Sequence, residues 1–331
     1  MKKLKIFLTF VVNFLFIVNI FTSGIKEKYT PQIVVEMKLG KGSGELGFAM
    51  LEGDIFPIQT NIAVDSKGNI YVLDKVNNRI QKFNDKGEYV YEIPVESFQY
   101  NWFYDKNGLP IVGSIDYYTT DICIDSNDNL YILTPFKNGK RNIDIYSVRE
   151  NLSFQRRLVI NKEKINNIFV DELNNLYIKA FEGNESIYKV YFSSYSEECK
   201  IEKFTDTEKS KNGLTFLKPE NIESKKWIVP ILNKDRKRIN LTIQSDKNLL
   251  AIRYLRSDNI GNIYFSVVQS DGRYIYIYSP KFEFLTKVKE YEENKKEIIY
   301  RSPMVVDKKG NIYQLIVFQN IAKIVKWENK K

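Results

Sequence analysis

The sequence predicts an all-β protein, a ring of six four-stranded antiparallel sheets in which an N-terminal strand completes the last sheet. Three observations carry that expectation. A ten-residue phrase, DSKGNIYVLD at Asp65–Asp74, returns in related form four more times. Alternating apolar strands flank the returns. Finally, the last repeat is one strand short, while a lone strand stands near the N-terminus.

The five versions of the phrase begin at Asp65, Asp125, Asp171, Asp258 and Asp307 and share the pattern D-x-x-[G/D/N]-N-[I/L]-Y. Its fourth position holds Gly68, Asp128, Asn174, Gly261 and Gly310. Those residue types tolerate a left-handed backbone. A leading Asp readily accepts from backbone amides just ahead of it, so the phrase reads as a tight hairpin corner. Apolar triplets precede the corners, such as Ile62-Ala-Val64 and Ile122-Cys-Ile124. Runs such as Ile70-Tyr-Val-Leu73 follow them, then a polar loop and alternating segments such as Arg79–Phe83 and Tyr274–Tyr278. A further turn at Asp85-Lys-Gly87 leads into Glu88–Ile93, making four strands per unit.

Successive anchors lie 60, 46, 87 and 49 residues apart. The long interval accommodates one degenerate unit, which brings the mean spacing to about 48 residues, the length of a propeller blade. That hidden unit is expected between Leu214 and Ala251, with Trp227–Leu232 and Ile239–Ile243 as its middle strands. The last unit supplies Met304–Val306, Ile312–Phe318 and Ile321–Trp327, and Gln32–Leu39 is expected to pair with it as the outer strand. The stretch IAVDSKGNIYVLDKVNNRIQKFNDKGEYVYEI, Ile62–Ile93, resembles an NHL repeat. The resemblance is partial in the other four units and poor between Leu214 and Ala251. It implies a β-propeller, commonly a binding platform, and chooses no partner, because fold does not settle function.

At 331 residues, with 43% hydrophobic and 27% charged side chains, the chain has the composition of a globular protein. A share of 14% aromatics favours strands. Lys2, Lys3 and Lys5 precede an apolar stretch, Ile6–Phe21, and the small residues Thr22-Ser-Gly24. Residues 1–24 therefore read as a signal peptide, or as an uncleaved N-terminal anchor, and 25–331 as a single propeller domain. The net charge of +9 falls to +6 without the three leader lysines. Cys123 and Cys199 are too few for a disulfide framework. The chain has no histidine, which removes Ser-His-Asp hydrolysis and His-ligated zinc.

Two motifs invite a cofactor or metal. Gly42-Ser-Gly-Glu-Leu-Gly47 matches a dinucleotide-binding pattern, but no helical periodicity follows it, so no cofactor is expected. Asp125-Ser-Asn-Asp-Asn129 begins like a calcium loop, yet Leu130 and Phe136 stand where glycine and glutamate are required. Some propeller enzymes resembling gluconolactonases hold a metal in the central channel with Glu, Asn and Asp side chains, so the alternative function is a metal-dependent hydrolase or lyase with such a carboxylate/amide site. Its ligands cannot be named from the sequence.

The primary expectation is a non-catalytic binding or scaffold propeller that uses the face shared by the strand 2–3 loops and the crossings between units. Lys75 and Arg79, Lys140 and Arg141, Lys234, Arg236, Lys237 and Arg238, and Arg273 are assigned to those loops. Trp102, Tyr104, Tyr117 and Tyr118 lie in the long aromatic crossing between the first two units. Together they would suit an anionic, protein or glycan partner. The competing reading is of ordinary solvated loops with aromatics folded over the first blade. Some NHL propellers bind single-stranded RNA, but the leader argues against nucleic acid. Abundant Lys, Asn, Ile and Tyr point to an AT-rich bacterial genome, and with the leader to an exported, periplasmic or extracellular envelope protein. A membrane enters only through an uncleaved leader, and the oligomeric state is not readable from the sequence.

Overall fold

The corner phrase folds the same way in all five places. In the computed structural model, each leading Asp accepts hydrogen bonds from the amides two and four residues on, at 2.7–3.0 Å. Its second oxygen accepts from the side-chain amide of the Asn at 2.7–2.9 Å and from the Tyr hydroxyl at 2.9–3.3 Å. The fourth position adopts φ between 62° and 94° in every case. The D, N and Y of the phrase are thus one network, in which a single carboxylate satisfies four donors. Burial first, then the neighbouring carboxylate, push the Tyr71, Tyr131 and Tyr313 hydroxyls far above the usual phenol range, so they remain donors.

The structure describes residues 29–47, 50–51, 60–95, 102–104, 110–112, 121–134, 140–149, 152–162, 165–182, 184–192, 197–204, 207–209, 214–233, 235–292 and 297–330. The first blade comprises Ile62–Val64, Ile70–Asp74, Arg79–Phe83 and Tyr89–Pro94. Asp121–Ile124, Asn129–Leu133, Arg141–Ser147 and Ser153–Ile160 make the second. Ile165–Val170, Leu176–Glu182, Asn184–Tyr191 and Lys200–Phe204 make the third. The fifth is Leu249–Ser257, Ile263–Gln269, Gly272–Tyr278 and Phe284–Lys289.

The sixth blade closes the ring. Its inner edge is built from Ile298–Arg301 and Val305–Val306, both paired with Ile312–Phe318. Ile321–Asn329 follows, and Tyr29–Lys38 pairs along its whole length as the outer strand. The closing strand is therefore the expected one, begun three residues earlier, at Tyr29. Val35 and Met37 bury against Ile324 and Ala322 in the seam with the first blade. A small sheet of Met50–Leu51, Trp102–Tyr104 and Pro110–Val112 lies outside the blades.

The fourth blade exists but is threaded differently from the expectation. Trp227–Leu232 and Ile239–Ile243 are its third and fourth strands, not its middle pair: Lys226–Leu232 pairs with Arg238–Gln244 and, on its other edge, with Thr215–Leu217 and Glu220–Glu223. Those two segments are halves of one second strand, interrupted at Lys218–Pro219, and Thr207–Lys209 is the short inner strand. The turn at Asn233–Lys237 settles the assignment. Its backbone bonds and side-chain-to-amide bonds repeat those of the third-to-fourth-strand turns at Asn84–Glu88 and Ser279–Glu283.

Strand alternation sends the corner Tyr and the residue two beyond it toward the next blade. Tyr71 and Leu73 enter the seam with the second blade, Tyr131 and Leu133 that with the third, and Tyr313 and Leu315 that with the first. Apolar clusters join the first to the second blade, the second to the third, the fourth to the fifth, the fifth to the sixth and the sixth to the first. Among the described residues no such cluster joins the third to the fourth. There the forward face carries Tyr177 and then Lys179, where the first, second and sixth blades carry Leu73, Leu133 and Leu315 and the fifth carries Ser266. Cys123 and Cys199 are free thiols packed against the second–third seam.

The corner network predicts unequal losses of stability. Asp307→Ala strands four donors and should cost about 3 kcal/mol or more, whereas Tyr313→Phe, which deletes one hydroxyl, should cost about 1 kcal/mol. Urea unfolding of the two variants measures the difference, and equal losses would contradict the network.

Candidate functional site

The cations expected on one face divide between two faces and the interior. Arg79 is buried: its guanidinium meets Asp74 at 2.9 Å and Glu92 at 2.8 Å, and donates to the carbonyls of Lys41, Gly42 and Glu45. The loop of the dinucleotide-like motif is thus a structural clasp on the first blade, with Gly44 and Gly47 amides donating to Gln81 and Asp74. Arg141 is fully buried and donates to the Thr134 carbonyl. Lys75 is buried as well, near Asp121. These three were expected as surface cations. Arg79 and Arg141 are interior because each opens a third strand, where carboxylate or carbonyl oxygens receive its guanidinium, and Lys75 lies near the Asp121 charge.

Arg236, Lys237 and Arg238 are exposed but lie on the face opposite the strand 2–3 loops, in the turn before the fourth blade's outer strand. Arg238 pairs with Glu220 at 2.8 Å. The correction follows from the threading of that blade. Lys140 and Arg273 do sit at strand 2–3 loops and are exposed, Lys140 facing Glu198 at 3.7 Å. Trp102 and Tyr104 fall in a strand of the small extra sheet. Tyr117, Tyr118 and Lys234 lie outside the described residues.

What the fold does assemble is an axial cavity of about 1040 Å³. The inner strands of most blades contribute to it, but it reaches beyond the inner layer only at the third and fourth blades. There Tyr177, Lys179, Ile187 and Lys203 line it from one side, and Phe216, Lys218 and Val229 from the other. The polar seam is therefore where the cavity leaves the axis. Across the same region the third and fifth blades touch directly. Glu172 accepts from the Tyr254 hydroxyl and the Ser257 amide, and the Arg253 guanidinium lies 5.0 Å over the Phe169 ring. Burial, and then the Glu172 charge, push the Tyr254 hydroxyl well above its ordinary value.

The opposite mouth is pinched by the corners. Ser66 donates to Asp128 from its amide at 2.9 Å and its hydroxyl at 2.7 Å, and the Ser126 amide donates to Asn174 at 2.8 Å. Lys308 from the sixth corner reaches the Ser126 carbonyl of the second. Only about 200 Å³ remains there.

The carboxylates around the main cavity are engaged by protein donors. Asp121 accepts from Asn61, from the Ile122 amide at 2.9 Å, the Ile168 amide at 3.1 Å and Asn167 at 3.3 Å. Burial pushes its carboxyl up, and these donors pull it back. Asp171 is consumed by its corner and Glu172 by the fifth blade. Each lining carboxylate thus spends its lone pairs on protein donors, an arrangement that organises blades rather than a cation. Among the described residues no three acidic or cysteine side chains cluster as a metal site. Lys179, Lys203, Lys218 and Arg253 supply the cationic lining.

The NHL repeat model matches residues 60–83. Among solved structures the chain is similar to a luciferin-regenerating enzyme, at 11% identity over 90% of this chain and 95% of that one, with a TM-score of 0.47. It is similar also to virginiamycin B lyase from Staphylococcus aureus, at 12% identity over 89% of this chain and 99% of that one, TM-score 0.43. A streptogramin B lyase matches at 14% identity, covering 81% and 78%, TM-score 0.41. No curated protein matches.

Lys75 yields a pH prediction. Burial lowers its ammonium from 10.5 to about 8, with the Asp121 charge opposing. Below the folded value the burial penalty is fully present. Between about 8 and 10.5 the unfolded chain keeps a proton that the folded chain has released, so stability rises with pH. Replacing Lys75 with Met should flatten that rise, read as urea midpoints across the interval; an undiminished rise would assign it to other groups.

Proposed function

We propose that the protein is a non-catalytic binding propeller whose ligand enters the axial cavity through the seam between the third and fourth blades and carries negative charge. One observation carries the reading: four cationic side chains line the cavity against three carboxylates, Asp121, Asp171 and Glu172, each of which accepts from protein donors. In a recess walled by protein, attraction for an anion is screened less than at an open surface. Phe216, Tyr177 and Ile187 add apolar and aromatic wall, which suits a ligand with both charge and bulk. The absence of histidine from the sequence removes imidazole acid–base catalysis. The leader-like N-terminal sequence supports an exported location, in which a protein or glycan of the envelope would be the partner.

Charge reversal tests the site. Lys203→Glu with Lys218→Glu should weaken binding of a fluorescent hexaglutamate or a heparin-derived hexasaccharide about tenfold or more. Arg236→Glu with Lys237→Glu, on the opposite face, should leave it unchanged. Fluorescence anisotropy reads both, and equal effects of the two pairs would overturn the assignment.

A further inference from the structure

We infer that the ligand of this cavity is an extended acidic peptide, which adds to the fourth blade as the upper half of its inner strand; the inference rests on the anionic-ligand reading above. In the second, third and fifth blades an inner strand pairs along the second strand from the corner toward its far end, and in the sixth two segments do so. In the first, Ile62–Val64 is extended by the bond from the Leu73 amide to the Asn61 carbonyl. In the fourth blade, Thr207–Lys209 covers only Thr215–Leu217. Only two residues separate Thr207 from Phe204, the end of the third blade's outer strand, too few to build the remaining half. Glu220–Glu223 consequently pairs with Lys226–Leu232 on one edge and with no described strand on the other.

All four of its residues are exposed, including Ile222 at 51%, whereas the second strand of the first blade is buried throughout. A strand edge with unpaired N–H and C=O groups is a template for another strand. This edge continues from Phe216–Pro219, which line the cavity. A guest strand seated there would run beside Lys218 and face Lys179 and Lys203 across the seam, so alternate acidic side chains would meet the cationic lining. The edge strand carries Glu220, already paired with Arg238 at 2.8 Å, and Glu223; against these stand Lys179, Lys203 and Lys218, so the charge balance of the seam favours an acidic peptide. The open edge selects a backbone that can pair; a glycan or polyphosphate meets only the charge condition.

The test uses the full chain and four probes: an eight-residue peptide alternating Glu with Val and Thr, its two alternate-frame backbone N-methylated forms, and a heparin-derived oligosaccharide of matched charge. The parent peptide should bind. One N-methyl frame should weaken binding about tenfold or more, because only one set of amides faces the edge, and the other frame should not. Hydrogen exchange should slow at 220–223 when the parent binds. If both methylated forms and the oligosaccharide bind as well as the parent while Lys203→Glu with Lys218→Glu weakens all of them, the strand-addition proposal fails and the anionic site stands. If no probe binds, or none responds to the charge reversal, both readings fail.

Discussion

One carboxylate with four donors governs this structure. At each of five corners the Asp fixes the turn through two amides, holds the following Asn through its side chain, and ties down the Tyr hydroxyl two residues further on. Anchoring the Tyr is the consequential step. Once its hydroxyl is held at the corner, its ring must lie on the forward face of the second strand, and period-two alternation sets every later side chain of that strand. The corner therefore fixes register, and register decides what each blade offers to the next. The fourth blade lacks the phrase and accordingly has a broken second strand and a short inner one.

The same logic explains why, among the described residues, the third and fourth blades share no apolar cluster. Leu73, Leu133 and Leu315 follow their corner Tyr by two residues and complete apolar contacts with the next blade. Lys179 occupies that position in the third blade, so its amine lies where a neighbouring sheet would otherwise be sealed. Burying that amine in a dry seam would be costly, and the seam stays open as part of the cavity. The third and fifth blades compensate near the corners through Glu172 and through Arg253 over Phe169.

Much of the architecture was legible because corners and closure are local or terminal features. Asp, Asn and Tyr at fixed offsets are visible in sequence, as is an unattached strand near one end. The fourth blade was harder, since Pro230 and the Lys218–Pro219 break obscure its alternation. Asn233-Lys-Asp-Arg-Lys237 nonetheless parallels Asn84-Asp-Lys-Gly-Glu88 and could have identified the turn between third and fourth strands. The candidate site was poorly legible for a different reason. Whether an Arg faces solvent depends on distant carbonyls: Arg79 is satisfied by residues 34 to 38 positions earlier, which no local pattern reveals. Lys179, by contrast, was available in the sequence as the charged residue at an apolar position of the repeat.

A closed ring makes such a breach affordable. In an open stack of blades, weakening one seam separates two pieces, and only that seam opposes separation. Here Tyr29–Lys38 is hydrogen-bonded along Ile321–Asn329, so the blades on either side of the polar seam are also joined the long way round, through five apolar seams. Opening between the third and fourth blades then strains the ring without dividing it. The closing strand at one side of the molecule is thereby the condition that lets an open seam exist at another. A chain of this kind can place cations such as Lys179 at a position of the second strand where an unclosed sheet stack would have needed apolar packing.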